Sequence, residues 1–262
     1  VGVHSDHHTL WINPSNPRHF YLAGDAGLHV SKDRGETYRR INNIPIGQFY
    51  AIGLDMRDPY YIYGGMQDNH SWMGPNANRR WIGIINDDWS QIGFGDGMYH
   101  RPDPTNYRIV YSNKQNGGMT RLDPKTGDLR NIRPYPKDEE EEYRFDWVTP
   151  IELSQHDPTT VYFGGNRLFI SHDQGNSWQR TEDLTRGIHR DSLALMDVAG
   201  TKDMLSKHDG TSSYAEITTI SESPITPSVI WVGTDDGNVQ VSRDGGKNWS
   251  EVAKNIEGVP YG

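Results

Sequence analysis

The sequence predicts an all-β chain, a β-propeller of about five four-stranded antiparallel blades, on two repeats that share one frame. In the first, an X-Pro turn leads into an aromatic or β-branched strand and, in most copies, a glycine. The copies are NPRHFYLAG (16–24), DPYYIYGG (58–65), DPTNYRIVYS (103–112), DPTTVYFGG (157–165) and TPSVIWVG (226–233). Pro17, Pro59, Pro104, Pro158 and Pro227 follow one another at 42, 45, 54 and 69 residues. A period near 42–45, stretched by insertions, is the length of one such blade. The second repeat reads Ser-x-Asp-x-Gly-x-(Thr/Ser/Asn)-aromatic: SKDRGETY (31–38), SHDQGNSW (171–178) and SRDGGKNW (242–249). RLDPKTGDL (121–129) is a worn fourth copy around Asp123.

The second repeat has a local physical reason. Ser and Asp side chains close the turn on nearby amides, Gly supplies φ > 0, and the aromatic packs on the sheet. Structural roles therefore fall to Ser31, Asp33 and Gly35, to Ser171, Asp173, Gly175 and Trp178, and to Ser242, Asp244, Gly246 and Trp249. The repeat units divide the chain as 3–48, 49–92, 93–143, 144–212 and 213–262. The segment 185–213 lacks strand alternation and reads as an insertion, with a short helix expected inside 192–207. PYPKDEEEEY (134–143) reads as a solvated acidic loop, with a calcium or partner site as the alternative.

Composition bounds the function. Of 262 residues, 34% are apolar and 28 are glycine, enough for a folded core. No apolar run reaches the roughly 18 residues of a membrane span. A net charge of −9 without a basic block argues against a nucleic-acid partner. The absence of cysteine removes disulfide scaffolds, thiol catalysis and thiolate metal sites. No cofactor is expected.

The Ser-x-Asp-x-Gly turns resemble the Asp-box (BNR) repeat of sialidases, sortilin-type receptors and two-propeller xyloglucanases. HSDHHTLWINP, INNIPIGQFYAIGLD and GGMQDNHSW are similar to bacterial sortilin-like, glycosyl-hydrolase-type proteins. The resemblance implies a secreted protein (extracellular, periplasmic or cell-surface) with further blades or domains in a longer chain. It also implies that ligands bind on the face opposite the Asp boxes, at the channel mouth, where pockets are expected on general grounds.

Strand order places two sets of loops on that face, those leading into the innermost strand of each blade and those joining the second and third strands. They supply His4, Asp6 and His8, then Gln67, Asp68, Asn69 and Trp72, then Asp146, Trp147 and Arg167 as candidate ligand-binding residues. Asp and Asn are also what turns alone require, so a structural reading stands beside the functional one. His4, Asp6 and His8 alternate and would share one side of an extended strand, a possible first-row metal set. Trp81 and Trp89 are placed near the same loops, and Trp11 and Trp231 are assigned to packing.

AGDAGLHVSKD (23–33) and GFGDGMYH (93–100) resemble the segments that carry the two catalytic carboxylates of xyloglucanase-type enzymes, which puts Asp25 and Asp96 forward as a catalytic pair. In that family the two carboxylates come from two propellers, whereas here both lie in one run of repeats. Sialidase activity is disfavoured, because no Arg-Ile-Pro strand and no arginine triad are present. Three functions stay open: a sortilin-like platform binding a glycan or a peptide or protein ligand, a glycoside hydrolase, and an assembly scaffold.

Overall fold

The computed structural model describes residues 2–44, 46–137, 140–194, 197–198 and 213–257. Twenty strands form five antiparallel sheets of four, each in simple sequence order. The first holds β1 (His7–Ile12), β2 (Phe20–Gly24), β3 (Gly27–Ser31) and β4 (Arg39–Ile41). The second holds β5 (Phe49–Leu54), β6 (Tyr61–Met66), β7 (Ser71–Pro75) and β8 (Ser90–Gly93), and the third β9 (Gly97–Asp103), β10 (Asn106–Lys114), β11 (Gly118–Leu122) and β12 (Leu129–Asn131). The fourth runs β13 (Ile151–Leu153), β14 (Val161–Gly164), β15 (Leu168–Ser171) and β16 (Gln179–Arg180). The fifth runs β17 (Ile217–Glu222), β18 (Ile230–Thr234), β19 (Val239–Ser242) and β20 (Ser250–Glu251). Helix among the described residues is limited to three-residue 3-10 turns. One of these, Arg190–Ser192, touches the stretch where a helix was expected; most of 192–207 lies outside the described residues.

The Asp-box turns join the third and fourth strands of sheets one, four and five, and their bonding is the same in each. Ser171 Oγ donates to Asp173 Oδ1 at 2.8 Å and accepts the Gly175 N–H at 2.7 Å, while Asp173 receives the N–H and hydroxyl of Ser177. Ser31/Asp33/Thr37 and Ser242/Asp244/Asn248 repeat this set. Gly175 sits at φ 79°, and a Cβ there would come within 2.7 Å of Ile132 Cδ1, so glycine is required twice over. Trp178 lies half-buried across the neighbouring blade, donating Nε1 to the Ile132 carbonyl at 2.8 Å. Sheet three keeps the worn copy with a different closure, Asp123 taking Arg108 and the Lys125 N–H.

Buried apolar clusters stitch the sheets in series. Tyr63, Val110 and Leu122 join sheets two and three; Tyr111, Phe145, Phe163 and their neighbours join three and four; Tyr162, Leu168, Ile217 and Ile230 join four and five. Sheet one contributes to none of these clusters, and Leu10 and Ile12 of β1 and Ile52 and Leu54 of β5 are all half exposed or more. Trp11 and Trp231, assigned to packing, are likewise 48% and 40% exposed, Trp11 leaning on Tyr21.

Candidate functional site at the channel mouth

At the end of every sheet away from the Asp boxes the chain repeats one contact. A residue in the turn between second and third strands donates its N–H to the carbonyl of a residue ahead of the first strand, immediately before it in four sheets and seven residues before it in sheet four. The pairs are Asp25 to Asp6 (3.1 Å), Gln67 to Gln48 (3.0 Å), Gln115 to Asp96 (3.2 Å), Asn166 to Arg144 (2.9 Å) and Asp235 to Glu216 (3.0 Å). In the last three the bond is returned: the N–H groups of Asp96, Arg144 and Glu216 donate to side-chain oxygens of Gln115, Asn166 and Asp235. Part of the Asp/Asn/Gln richness of these loops is therefore latch chemistry within each blade.

Just inside the latch, the register slips by one residue between His7 and Thr9, between Phe49 and Ala51, and between Ile217 and Thr219. Such bulges leave one unpaired residue and re-aim its side chain. His8 and Tyr50 are the residues released in sheets one and two, and both turn to aspartates of the mouth. His8 Nε2 lies 2.5 Å from Asp25 Oδ1, and Tyr50 donates to Asp96 Oδ2 at 3.2 Å. The bulge also breaks the alternation expected of His4, Asp6 and His8. His4 and Asp6 meet Asp68, their ligand atoms all within 4.8 Å of one another, while His8 is drawn to Asp25.

Asp96 organises the centre of this network. It is buried, and Oδ1 accepts the Asp68 N–H at 2.9 Å. The 67–70 loop is pinned further by Asn69, which donates to the Asp25 carbonyl, and by half-buried Trp72, whose Nε1 donates to the Asn69 carbonyl at 2.6 Å. Asp68 and His70 hold left-handed conformations within it, at φ 57° and 69°. Partial burial, and then the Asp96 and Asp25 carboxylates, push the Asp68 carboxyl above the ordinary aspartate range. Tyr50 ties the network to blade four, for its hydroxyl accepts Trp147 Nε1 at 3.2 Å.

Two aromatic faces flank the aspartates. Trp147 is 39% exposed with its indole N–H fixed by Tyr50, and Phe94 is 72% exposed and stands edge-on to His70 at 5.6 Å. Other sequence candidates lie elsewhere. Arg167 reaches outward to the Thr181 carbonyl (2.8 Å) and Glu182, beyond the outermost strand of its blade, so it does not stand over the mouth. Trp81 and Trp89 fall in the long 76–89 connection between β7 and β8, on the opposite rim, where Trp89 covers Gly74. A groove of about 470 Å³ on that rim is lined by Arg108, Arg121 and Arg130, but all three are bonded to Asp123, Gln174 or Asn176.

Asp146, which the sequence places among the mouth residues, belongs to a second acidic group. Its carboxylate, with those of Glu216 and Asp235, places one oxygen of each within 4.8 Å of the others. Burial, then Asp235 and Asp146, push Glu216 up to about 8, against the opposing pull of Arg144. Neither Glu216 nor Tyr50 nor Phe94 was singled out from sequence. The recurring offset between latch partners, 19 residues in sheets one, two, three and five, is the signal that locates Glu216.

Five sequential four-stranded sheets, Asp-box turns on one face and latched loops on the other define a β-propeller chain bearing Asp-box repeats. Residues 240–251 match the family model of the BNR/Asp-box repeat. Among solved structures, an ancestral GH74 enzyme aligns with 97% of this chain and 32% of its own length, at 14% identity and a TM-score of 0.52. The GH74 xyloglucanase from Xanthomonas campestris aligns with 90% of this chain and 36% of its own at 14% identity and a TM-score of 0.49. The extracellular domain of a one-component system from B. thetaiotaomicron aligns with 94% and 27% at 12% identity and a TM-score of 0.49. At 14% identity the likeness to the ancestral GH74 enzyme is one of fold. The chain spans about a third of the length of these structures. No curated protein sequence matches the chain. No described helix is long and apolar enough to cross a membrane.

Proposed function

We propose that the mouth face binds a glycan, with Trp147 and Phe94 as stacking platforms and Asp25 and Asp68 as acceptors for sugar hydroxyls, the buried Asp96 holding Asp68 and Tyr50 in place. The observation that carries this reading is the continuous network His8–Asp25, Asp68–Asp96, Tyr50–Trp147, which fixes carboxylates beside an indole whose ring orientation is set. Rigid aromatic surface next to acceptors suits a sugar ring, which has apolar faces and a polar rim. The same reading keeps the extracellular, periplasmic or cell-surface location that the family resemblance implies. Affinity electrophoresis in gels containing xyloglucan and other soluble polysaccharides tests it: retardation lost in Trp147→Ala and Phe94→Ala supports the glycan. If no polysaccharide retards the chain and a peptide library is captured instead, the ligand is a peptide and the sortilin-like form of the reading takes over.

A second reading, glycoside hydrolysis, is favoured by one feature. Asp68 has its carboxyl raised beside two further carboxylates, the electrostatic division of labour between acid and base that such chemistry uses. It assigns Asp68 the proton donor's role and Asp25 or Asp96 the second carboxylate. Release of reducing ends from the retained polysaccharide, lost in Asp68→Asn, supports it; binding without release rejects it.

A further inference from the structure

Glu216 is fully buried, and neither carboxylate oxygen has a hydrogen-bond partner among the described residues. A carboxyl group left that way in a protein interior is costly in either protonation state, so such groups ordinarily find a donor or a cation. The nearby cation does not serve. Arg144 spends its guanidinium on the carbonyls of Tyr214 and Ala215 and on Asp183. What faces Glu216 instead is two more carboxylates, Asp146 and Asp235, with one oxygen of all three inside a 4.8 Å span.

We propose that Asp146, Glu216 and Asp235 form a calcium-class divalent cation site that bridges blades four and five at the channel mouth. Calcium binds oxygen at about 2.3–2.6 Å, so ligand oxygens around one ion lie at most about 5 Å apart, the span seen here. The donors are all hard oxygens, without imidazole or thiolate, which selects calcium over zinc or copper. Two of the three are held in place by their own chain: Asp235 Oδ1 accepts the Glu216 N–H at 2.7 Å, and Asp146 Oδ1 accepts the Val148 N–H at 2.7 Å. Asp146 and Asp235 are only half-buried, so water reaches the site to complete a coordination shell of about 6–8 oxygens. Because Asp146 precedes β13 and the other two flank β17 and β18, an ion here links two blades directly.

The test is calcium titration of the full chain, after treatment with a chelator, followed by calorimetry and by thermal unfolding. One equivalent of Ca²⁺ should bind with Kd of about 1 mM or tighter, the weak end for extracellular calcium modules, and Tm should rise with it. Glu216→Gln and Asp235→Asn, both close in shape to the native side chain, should each weaken binding at least about tenfold, a loss typical of removing one charged ligand. Asp87→Asn, exposed in the 76–89 connection on the opposite rim, should leave calcium binding unchanged and so shows that the loss belongs to this site. Absence of binding heat and of any Tm rise at about 10 mM Ca²⁺ overturns the proposal, since that exceeds the range for such modules. Calcium binding retained in full by both Glu216→Gln and Asp235→Asn overturns it equally.

Discussion

Asp68 hangs from Asp96 by its own main chain: the Asp68 N–H donates to Asp96 Oδ1, so two carboxylates from different blades are brought side by side. The Asp68 carboxyl accordingly feels Asp96 as a negative neighbour. Asp96→Asn should move the Asp68 pKa down toward the ordinary aspartate value, and Asp25→Asn should move it the same way. Carbon-detected NMR titration of the aspartate carboxyls reads this directly, and an unmoved Asp68 in Asp96→Asn would rule out the coupling.

Ser171 is buried and serves both Asp173 and Gly175. Ser171→Ala should destabilise the chain by about 1–3 kcal/mol, the cost of leaving buried hydrogen-bonding groups unmet. Gly175→Ala should also destabilise, through its left-handed φ and the contact with Ile132. Urea unfolding monitored by tryptophan fluorescence measures both; stability at the wild-type level in either would contradict the turn's assigned role.

His100, fully buried in β9, is pushed down to about 4 from 6.5, chiefly by burial. As pH falls below 6.5 the unfolded chain takes up this proton while the folded chain resists it. Stability is therefore complete above about pH 6.5 and falls between 6.5 and 4, by about 3 kcal/mol at about 1.4 kcal/mol per pKa unit. The Asp-box aspartates act lower: hydrogen bonds from Thr37, Ser177 and Asn248 hold Asp33, Asp173 and Asp244 at about 2. Their contribution is present above the ordinary aspartate pKa and lost as pH falls toward 2. His100→Leu should flatten the upper step alone, as read by unfolding midpoints from pH 7 to 4.

Glu222, at the far end of β17, accepts Tyr162, Ser154 and the Gln155 N–H, all from blade four. Glu222→Ala strands these neutral donors and should destabilise the chain, at about 1–3 kcal/mol for a buried hydrogen-bonding group left unmet. Loss of amide protection in β13 and β17, followed by hydrogen exchange, should accompany it; a stability change under about 1 kcal/mol would remove Glu222 from the contacts that hold the two blades together.

The fold was legible because its signal is local. Each Asp box closes through side chains within seven residues of one another, and the Pro-to-Asp spacing survives insertion elsewhere. The mouth was only partly legible. Asp68 and Asp96 were found as polar loop residues, but Tyr50 owes its place to a bulge, and a bulge leaves little trace in alternation. Glu216 sits inside AEITTI, where a single acid before a strand looks like ordinary surface. Trp81 and Trp89 were misplaced because blade two replaces its Asp box with a longer connection held by Asn78, Arg80 and Asp88, which carries them to the other rim.

The latch at the channel mouth grips the lead-in residue by its main chain, through its carbonyl in all five blades and also its N–H in three, where a side-chain oxygen of the turn residue receives it. The lead-in side chain takes no part in that latch, and the five blades carry different residues there: Asp6, Gln48, Asp96, Arg144 and Glu216. One socket, copied five times, thus presents acid, amide or base without disturbing the sheet beneath it. Duplication of a blade delivers a ready-made position for a new chemical group. Divergence of the blades is free to proceed by rewriting one letter per copy, which makes this rim the natural place to graft a new specificity.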